Sequence, residues 1–133
     1  MKKVALKVLH DYFGYEGFRK GQDKIIESVL SGHDTLGVMP TGGGKSLCYQ
    51  VPALCFSGLT IVISPLISLM KDQLDSLTSR GYPAAMLNST VSPDVVREVT
   101  QDVLSGKIKL LYLTPERFRN QRFLEWLKGV ELS

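Results

Sequence analysis

Met39-Pro40-Thr41-Gly42-Gly43-Gly44-Lys45-Ser46 is the stretch on which the fold turns. It lies between a short aliphatic run, Thr35 to Met39, and an apolar helical segment, Lys45 to Phe56. Strand, glycine-rich turn and helix in that order are the setting of a phosphate-binding loop. Consecutive glycines let backbone N–H groups turn toward an anion without a Cβ clash, and the helix N-terminus adds its partial positive charge. In such a loop Lys45 reaches the β- and γ-phosphates, and the Ser46 hydroxyl ligates Mg²⁺. From average residue usage, Gly-Lys followed by Ser or Thr arises by chance in roughly 5 to 10% of chains this long. Two further glycines lower that to about a few in ten thousand, so the loop reads as functional. The place where the pattern usually begins with glycine holds Met39.

Around the loop, the 133 residues are 44% hydrophobic and 22% charged, which excludes disordered, collagenous and coiled-coil classes. The length admits one domain whose core needs neither disulfide nor metal. A net charge of +3 suits a polyanionic partner but falls short of a dense basic stripe. Cys48 and Cys55 stand seven apart in one helical segment, about 10.5 Å along its axis, too far for a disulfide. No Cys/His cluster has zinc-ligand spacing. Ser46 to Met70 carries no formal charge over 25 residues, yet Gly58 and Pro65 split it into pieces too short to span a bilayer. Lys7 interrupts the only apolar run near Met1, so no signal peptide is read and a cytoplasmic location is expected.

Gly32, Gly58, Gly81, Gly106 and Gly129 each follow an apolar-periodic stretch and are expected to cap helices in the left-handed conformation. The helices read as Lys3 to Tyr12, Gly21 to Ser31, Lys45 to Phe56, Leu66 to Arg80, Pro93 to Ser105 and Glu116 to Lys128. Ser92 and Pro93 form an N-cap and first-turn pair. In the fourth helix Leu66, Leu69, Met70, Gln73, Leu74 and Leu77 are expected on the packed face. Strands are read at Thr35 to Met39, Leu59 to Ser64, Ala84 to Leu87 and Ile108 to Leu113. Alternating strands and helices imply an open α/β fold, mainly parallel, with helices on both faces of the sheet.

Outward from the loop, the residues resemble the N-terminal part of the first motor domain of RecQ-family ATP-dependent DNA helicases. Phe13-Gly14-Tyr15-Glu16-Gly17-Phe18-Arg19-Lys20-Gly21-Gln22 is similar to that family's adenine-recognition motif. A glutamine amide both donates to and accepts from the adenine edge, and Tyr15 and Arg19 have the chemistry to stack on or contact the base. Met39 to Ser46, continuing through Leu47-Cys48-Tyr49-Gln50-Val51-Pro52-Ala53, is similar to the family's nucleotide motif. Ser64-Pro65-Leu66-Ile67-Ser68-Leu69-Met70-Lys71-Asp72-Gln73 resembles the next motif, at the strand-end edge where open α/β sheets bind ligands. Asn88-Ser89-Thr90 and Tyr112-Leu113-Thr114-Pro115-Glu116-Arg117 resemble segments at the same edge. The resemblance implies a RecA-like P-loop NTPase fold over residues 1–133, with ATP and Mg²⁺ as cofactors. It also implies contacts to single-stranded or forked DNA through Ser64, Ser68, Lys71, Asn88, Thr114 and Arg117. Arg117, Arg119 and Arg122 read equally as a solvated face.

No Asp-Glu-x-His motif occurs among the 133 residues. In this family that pair positions Mg²⁺ and activates water. The chain therefore reads as part of a motor domain, incomplete at its C-terminus. The resemblance implies that a second motor domain and a zinc-binding module belong to the rest of the parent chain. The expectation is a parent that couples ATP hydrolysis to 3′-to-5′ DNA unwinding, and an isolated chain that binds nucleotide with little turnover. Two alternatives stay open: an RNA-directed DEAD-box-like helicase and a non-catalytic nucleotide- or partner-binding chain.

Overall fold

A computed structural model describes residues 2–39, 44–88 and 90–133. Pro40, Thr41, Gly42 and Gly43 of the phosphate loop, and Ser89, lie outside the described residues. The chain divides into two compact units, 1–57 and 58–133.

The first unit is helical: α1 (Lys2–Phe13), α2 (Gln22–Leu30) and α3 (Leu47–Cys55). In α1, Ala5, Val8, Leu9 and Phe13 are buried, a three-and-four spacing that lines one helical face. α3 runs through Pro52, which lacks the N–H that would bond four residues back. Its Val51 and Ala53 are buried, as is Ile26 of α2, and α2 and α3 pack on each other. No strand forms over residues 35–39. Leu36 is 91% exposed and Val38 87% exposed, and without a partner strand among the described residues an extended run has no ladder to join. Thr35 is tied to the end of α2 instead, its hydroxyl 2.8 Å from that of Ser28.

In the second unit β1 (Thr60–Ile63), α4 (Ile67–Ser79), β2 (Ala84–Leu87), α5 (Pro93–Leu104) and β3 (Leu110–Leu113) build a three-stranded sheet. Its order is β1-β3-β2 and both pairings are parallel. Parallel neighbours require crossovers, which α4 and α5 supply. Strand alternation gives each face its own partner. Leu59, Leu87, Leu111 and Leu113 form a core with Val103 of α5 and with Phe123. On the opposite face the Tyr112 hydroxyl donates to Gln73 Oε1 of α4 at 3.2 Å. Met70 and Leu77 are the buried residues of α4, while Leu66 and Leu69 are exposed, so its packed face is narrower than the expected stripe.

The segment expected as one helix from Glu116 to Lys128 is broken into a 3-10 turn, Pro115–Arg119, and α6 (Gln121–Lys128). Asn120 sits between them in an extended conformation and its side-chain oxygen accepts from Phe123 N at 3.2 Å, so α6 starts afresh on its own cap. Asn120→Ala is expected to lower unfolding stability by about 1 kcal/mol, read by urea denaturation. Ser92 caps α5 as expected, accepting from Val95 N. Gly32, Gly81 and Gly106 take positive φ, but Gly58 and Gly129 do not. Gly129 has φ −88. At Gly58 it is space that decides, because a Cβ would lie 2.8 Å from the Glu131 carbonyl oxygen. That contact accompanies a parallel bridge between Leu59 and Leu132 at the free edge of β1, with Leu59 N donating to Glu131 O at 2.8 Å and Ser133 N to Leu59 O at 3.0 Å. Among the described residues no helix is long and apolar enough to cross a membrane.

Candidate nucleotide and nucleic-acid sites

The C-terminal part of the phosphate loop is built on the start of α3. Ser46 precedes the helix in helical geometry, and its carbonyl accepts from Tyr49 N and Gln50 N at 3.2 and 3.0 Å. Lys45 O accepts from Cys48 N at 3.0 Å. The first turn carries no acidic residue, so nothing in it opposes an anion at the helix N-terminus. Lys45 is exposed, and among the described residues no carboxylate forms an ion pair with it. Gly44 has φ +78, a left-handed conformation that disfavours a Cβ.

Gln22 joins the two segments read from the sequence as nucleotide motifs. Its side chain is 1% exposed. Oε1 accepts from Arg19 N at 2.8 Å, and Nε2 donates to Gly44 O at 3.0 Å. A Cβ on Gly44 would overlap Gln22 Nε2. A primary amide has two N–H donors and two acceptor lone pairs, so one of each remains for another group. Arg19 and Tyr15 are exposed in the same loop. Sequence reasoning assigns the Gln22 amide to a base and misses its hold on Gly44, because two residues 22 positions apart leave no local signal of contact.

The thiols beside this loop are quiet. Burial pushes the pKa of both Cys48 and Cys55 up, which disfavours the reactive thiolate. Cys48 Sγ lies 3.7 Å from Met39 Sδ, and Cys55 Sγ donates to Val51 O within its own helix.

In the second unit the strand-contact candidates share one edge. Ile63 and Leu87 both pair with Leu113, so Ser64, Asn88 and Thr114 leave the sheet side by side at the C-terminal ends of β1, β2 and β3. Ser64 Oγ accepts from Leu66 N at 3.1 Å and shapes the entry to α4. Ser68 and Lys71 are exposed on the first turns of that helix. Asn88 is buried, and its Oδ1 accepts from Thr90 N at 2.7 Å and from the Thr90 hydroxyl. Thr114 is 1% exposed, and its hydroxyl has no partner among the described residues. The Arg117 guanidinium lies 5.3 Å from the Phe123 ring centroid, a cation–π contact.

A helix N-terminus and a set of strand exits carried by these motifs are matched over residues 19–132 by the DEAD/DEAH box helicase family. The chain belongs to the DEAD/DEAH box helicase family. Among its relatives, the ATP-dependent DNA helicase RecQ of Pasteurella multocida is 50% identical over 133 residues, all of this chain and 21% of that protein. The ATP-dependent DNA helicase RecQ of Haemophilus influenzae is 53% identical over 124 residues, covering 93% of this chain and 20% of that one. The ATP-dependent DNA helicase RecQ of Bacillus subtilis is 51% identical over 129 residues, 96% of this chain and 22% of its own length. These relatives bear out the resemblance read from the motifs. The chain spans about a fifth of the length of the curated relatives it matches.

For a DEAD/DEAH box helicase the donor set at this site has a clear consequence. Among the described residues there is no group of three or more His, Cys, Asp or Glu side chains placed to hold a metal ion. Mg²⁺ keeps several waters and binds through one or two protein oxygens plus substrate phosphates. A serine hydroxyl such as that of Ser46 is an oxygen donor of the type that pattern uses.

Proposed function

We propose that this chain is the ATP-binding part of a RecQ-like DNA helicase. The observation that carries the reading is the Gln22–Gly44 hydrogen bond, which ties the base-recognition motif to the end of the phosphate loop. Lys45 and the α3 N-terminus take the triphosphate, with Pro40, Thr41, Gly42 and Gly43 completing the loop. Gln22, with its remaining donor and acceptor, and Tyr15 and Arg19 take the adenine. Ser46 supplies one oxygen to Mg²⁺, whose chemistry is to neutralise phosphate charge.

At the sheet edge Ser68, Lys71 and Arg117 contact the phosphates of single-stranded or forked DNA directly, while Ser64, Asn88 and Thr114 shape the loops that present backbone N–H groups. The parent protein hydrolyses ATP and unwinds DNA 3′ to 5′ in recombination and repair, in the cytoplasm at the nucleoid if the source is bacterial. Residues 1–133 form part of its first motor domain and work with its other helicase domains. With no Asp-Glu-x-His motif among the 133 residues, the chain alone binds nucleotide with little or no turnover.

Comparing binding of ATP, GTP and UTP to wild type and Gln22→Ala tests the adenine role. Adenine reading predicts that Gln22→Ala weakens ATP about tenfold more than the other two. An equal loss for all three would leave Gln22 as a loop support alone and refute base recognition.

A further inference from the structure

Between the first half of α5 and the start of α6 lies a cavity of about 560 Å³, within the size range of small-molecule sites. Arg97, Arg117 and Arg122 line it, with Asn120, Phe123 and Trp126, and among the described residues no acidic side chain does. Asp94 pairs with Arg97 at 2.6 Å on the exposed rim, which leaves the charge of Arg117 and Arg122 unbalanced in the lining. Two of the lining residues hold buried donors, Arg117 Nε and Trp126 Nε1, that have no hydrogen-bond partner among the described residues. Buried polar groups in native proteins are nearly always paired, so two orphan N–H groups on one cavity mark a place for an acceptor. Trp126, partly exposed, packs on buried Phe123 at 5.6 Å between centroids with the ring planes tilted by 37°, and supplies an aromatic wall beside the cations.

We propose that this cavity binds a nucleotide unit, with its phosphate on Arg117, Arg122 and the Trp126 N–H and its base against the aromatic wall. Arginine forks match phosphate geometry, and base–aromatic stacking is tolerant of sequence. An acidic peptide would satisfy the charges but would leave the planar wall without a planar partner. The nucleotide has two possible sources, a free mononucleotide or one unit of a DNA strand leaving the sheet edge at Thr114. Only the second source rests on the strand reading above; the chemistry of the cavity does not. Arg97 and Trp126 lie outside every stretch that the sequence singled out.

Trp126 is the only tryptophan of the chain, so its emission reports this cavity alone. The chain is titrated at low salt with dTMP, with an eight-residue oligo-dT carrying an anisotropy label, and with a poly-glutamate peptide. Saturable quenching by dTMP or by the oligonucleotide is expected, at least tenfold weaker in Arg122→Glu and Arg97→Glu. Both substitutions are on exposed side chains, and circular dichroism confirms that the variants fold. Lys45→Ala, which disables the phosphate loop, leaves the quenching in place. Quenching by dTMP identifies a free nucleotide as sufficient, and quenching by the oligonucleotide alone identifies the strand. Unchanged emission with dTMP and under oligonucleotide saturation, equal affinity in Arg122→Glu, or quenching by poly-glutamate alone would each overturn the proposal. Lys71→Ala separates the two readings: a loss of oligonucleotide affinity there with no response at Trp126 removes this site and keeps the strand contact.

Discussion

Lys45→Ala lowers the affinity of the chain for ATP about 100-fold in isothermal titration. Hydrogen bonds to charged groups are worth about 1.5–3 kcal/mol each, and about 1.4 kcal/mol corresponds to a tenfold change. Lys45 is exposed and buries nothing, so its loss leaves the fold intact. Exposed substitutions of this kind shift stability by about 0.5 kcal/mol or less, and the same sample melted in urea keeps its midpoint. An affinity loss with no stability loss separates a phosphate ligand from a structural lysine. A variant that binds ATP as tightly as the wild type would mean that the nucleotide sits elsewhere.

Gly44→Ala combines two penalties that arise from different atoms. The φ of +78 costs a non-glycine residue about 1–2 kcal/mol. The new Cβ also overlaps Gln22 Nε2, so the Gln22–Gly44 hydrogen bond is broken and its partners are displaced, at about 0.5–1.5 kcal/mol for each bond lost. The sum is a stability loss of about 2–4 kcal/mol in chemical denaturation. ATP affinity falls by about tenfold or more, because the amide that positions the loop moves with it. In the Gln22→Ser/Gly44→Ala pair the overlap is relieved while the φ strain remains, so the double variant is less destabilised than the sum of the single ones. Additive losses would show that Gln22 and Gly44 are not coupled.

Much of this architecture is written in local chemistry. The Ser92–Pro93 start of α5, the left-handed glycines at 32, 81 and 106, and the helix that follows Lys45 are all encoded within a few residues of one another. The strand order is not. It depends on which edges meet after two crossovers, and no pattern within Thr60–Ile63 or Ala84–Leu87 announces that both will pair with Leu110–Leu113. Thr35 to Met39 has strand composition but no ladder among the described residues, which shows that β propensity is a statement about neighbours as much as about side chains. Periodicity ran straight through Asn120, whose side-chain cap is what divides the last helical segment.

The candidate site was legible in part for the same reason. Gly44, Lys45 and Ser46 are contiguous, so their joint role follows from spacing. Gln22 was visible as an amide in a motif, yet its bond to Gly44 O appears only after folding. Arg97 lies on α5 and Trp126 on α6, and neither carries a motif, so only the cavity that gathers them with Arg122 draws attention to them.

The central claim is that ATP sits at the N-terminus of α3 with Gln22 at its base end. It is tested most directly by an amide ¹H–¹⁵N correlation titration with Mg·ATP. Saturable shifts are expected in the backbone N–H signals of Gly44, Lys45, Ser46 and Leu47 and in the Gln22 side-chain NH₂, all with one dissociation constant and all abolished in Lys45→Ala. Shifts elsewhere with these five signals unmoved at saturation would contradict it.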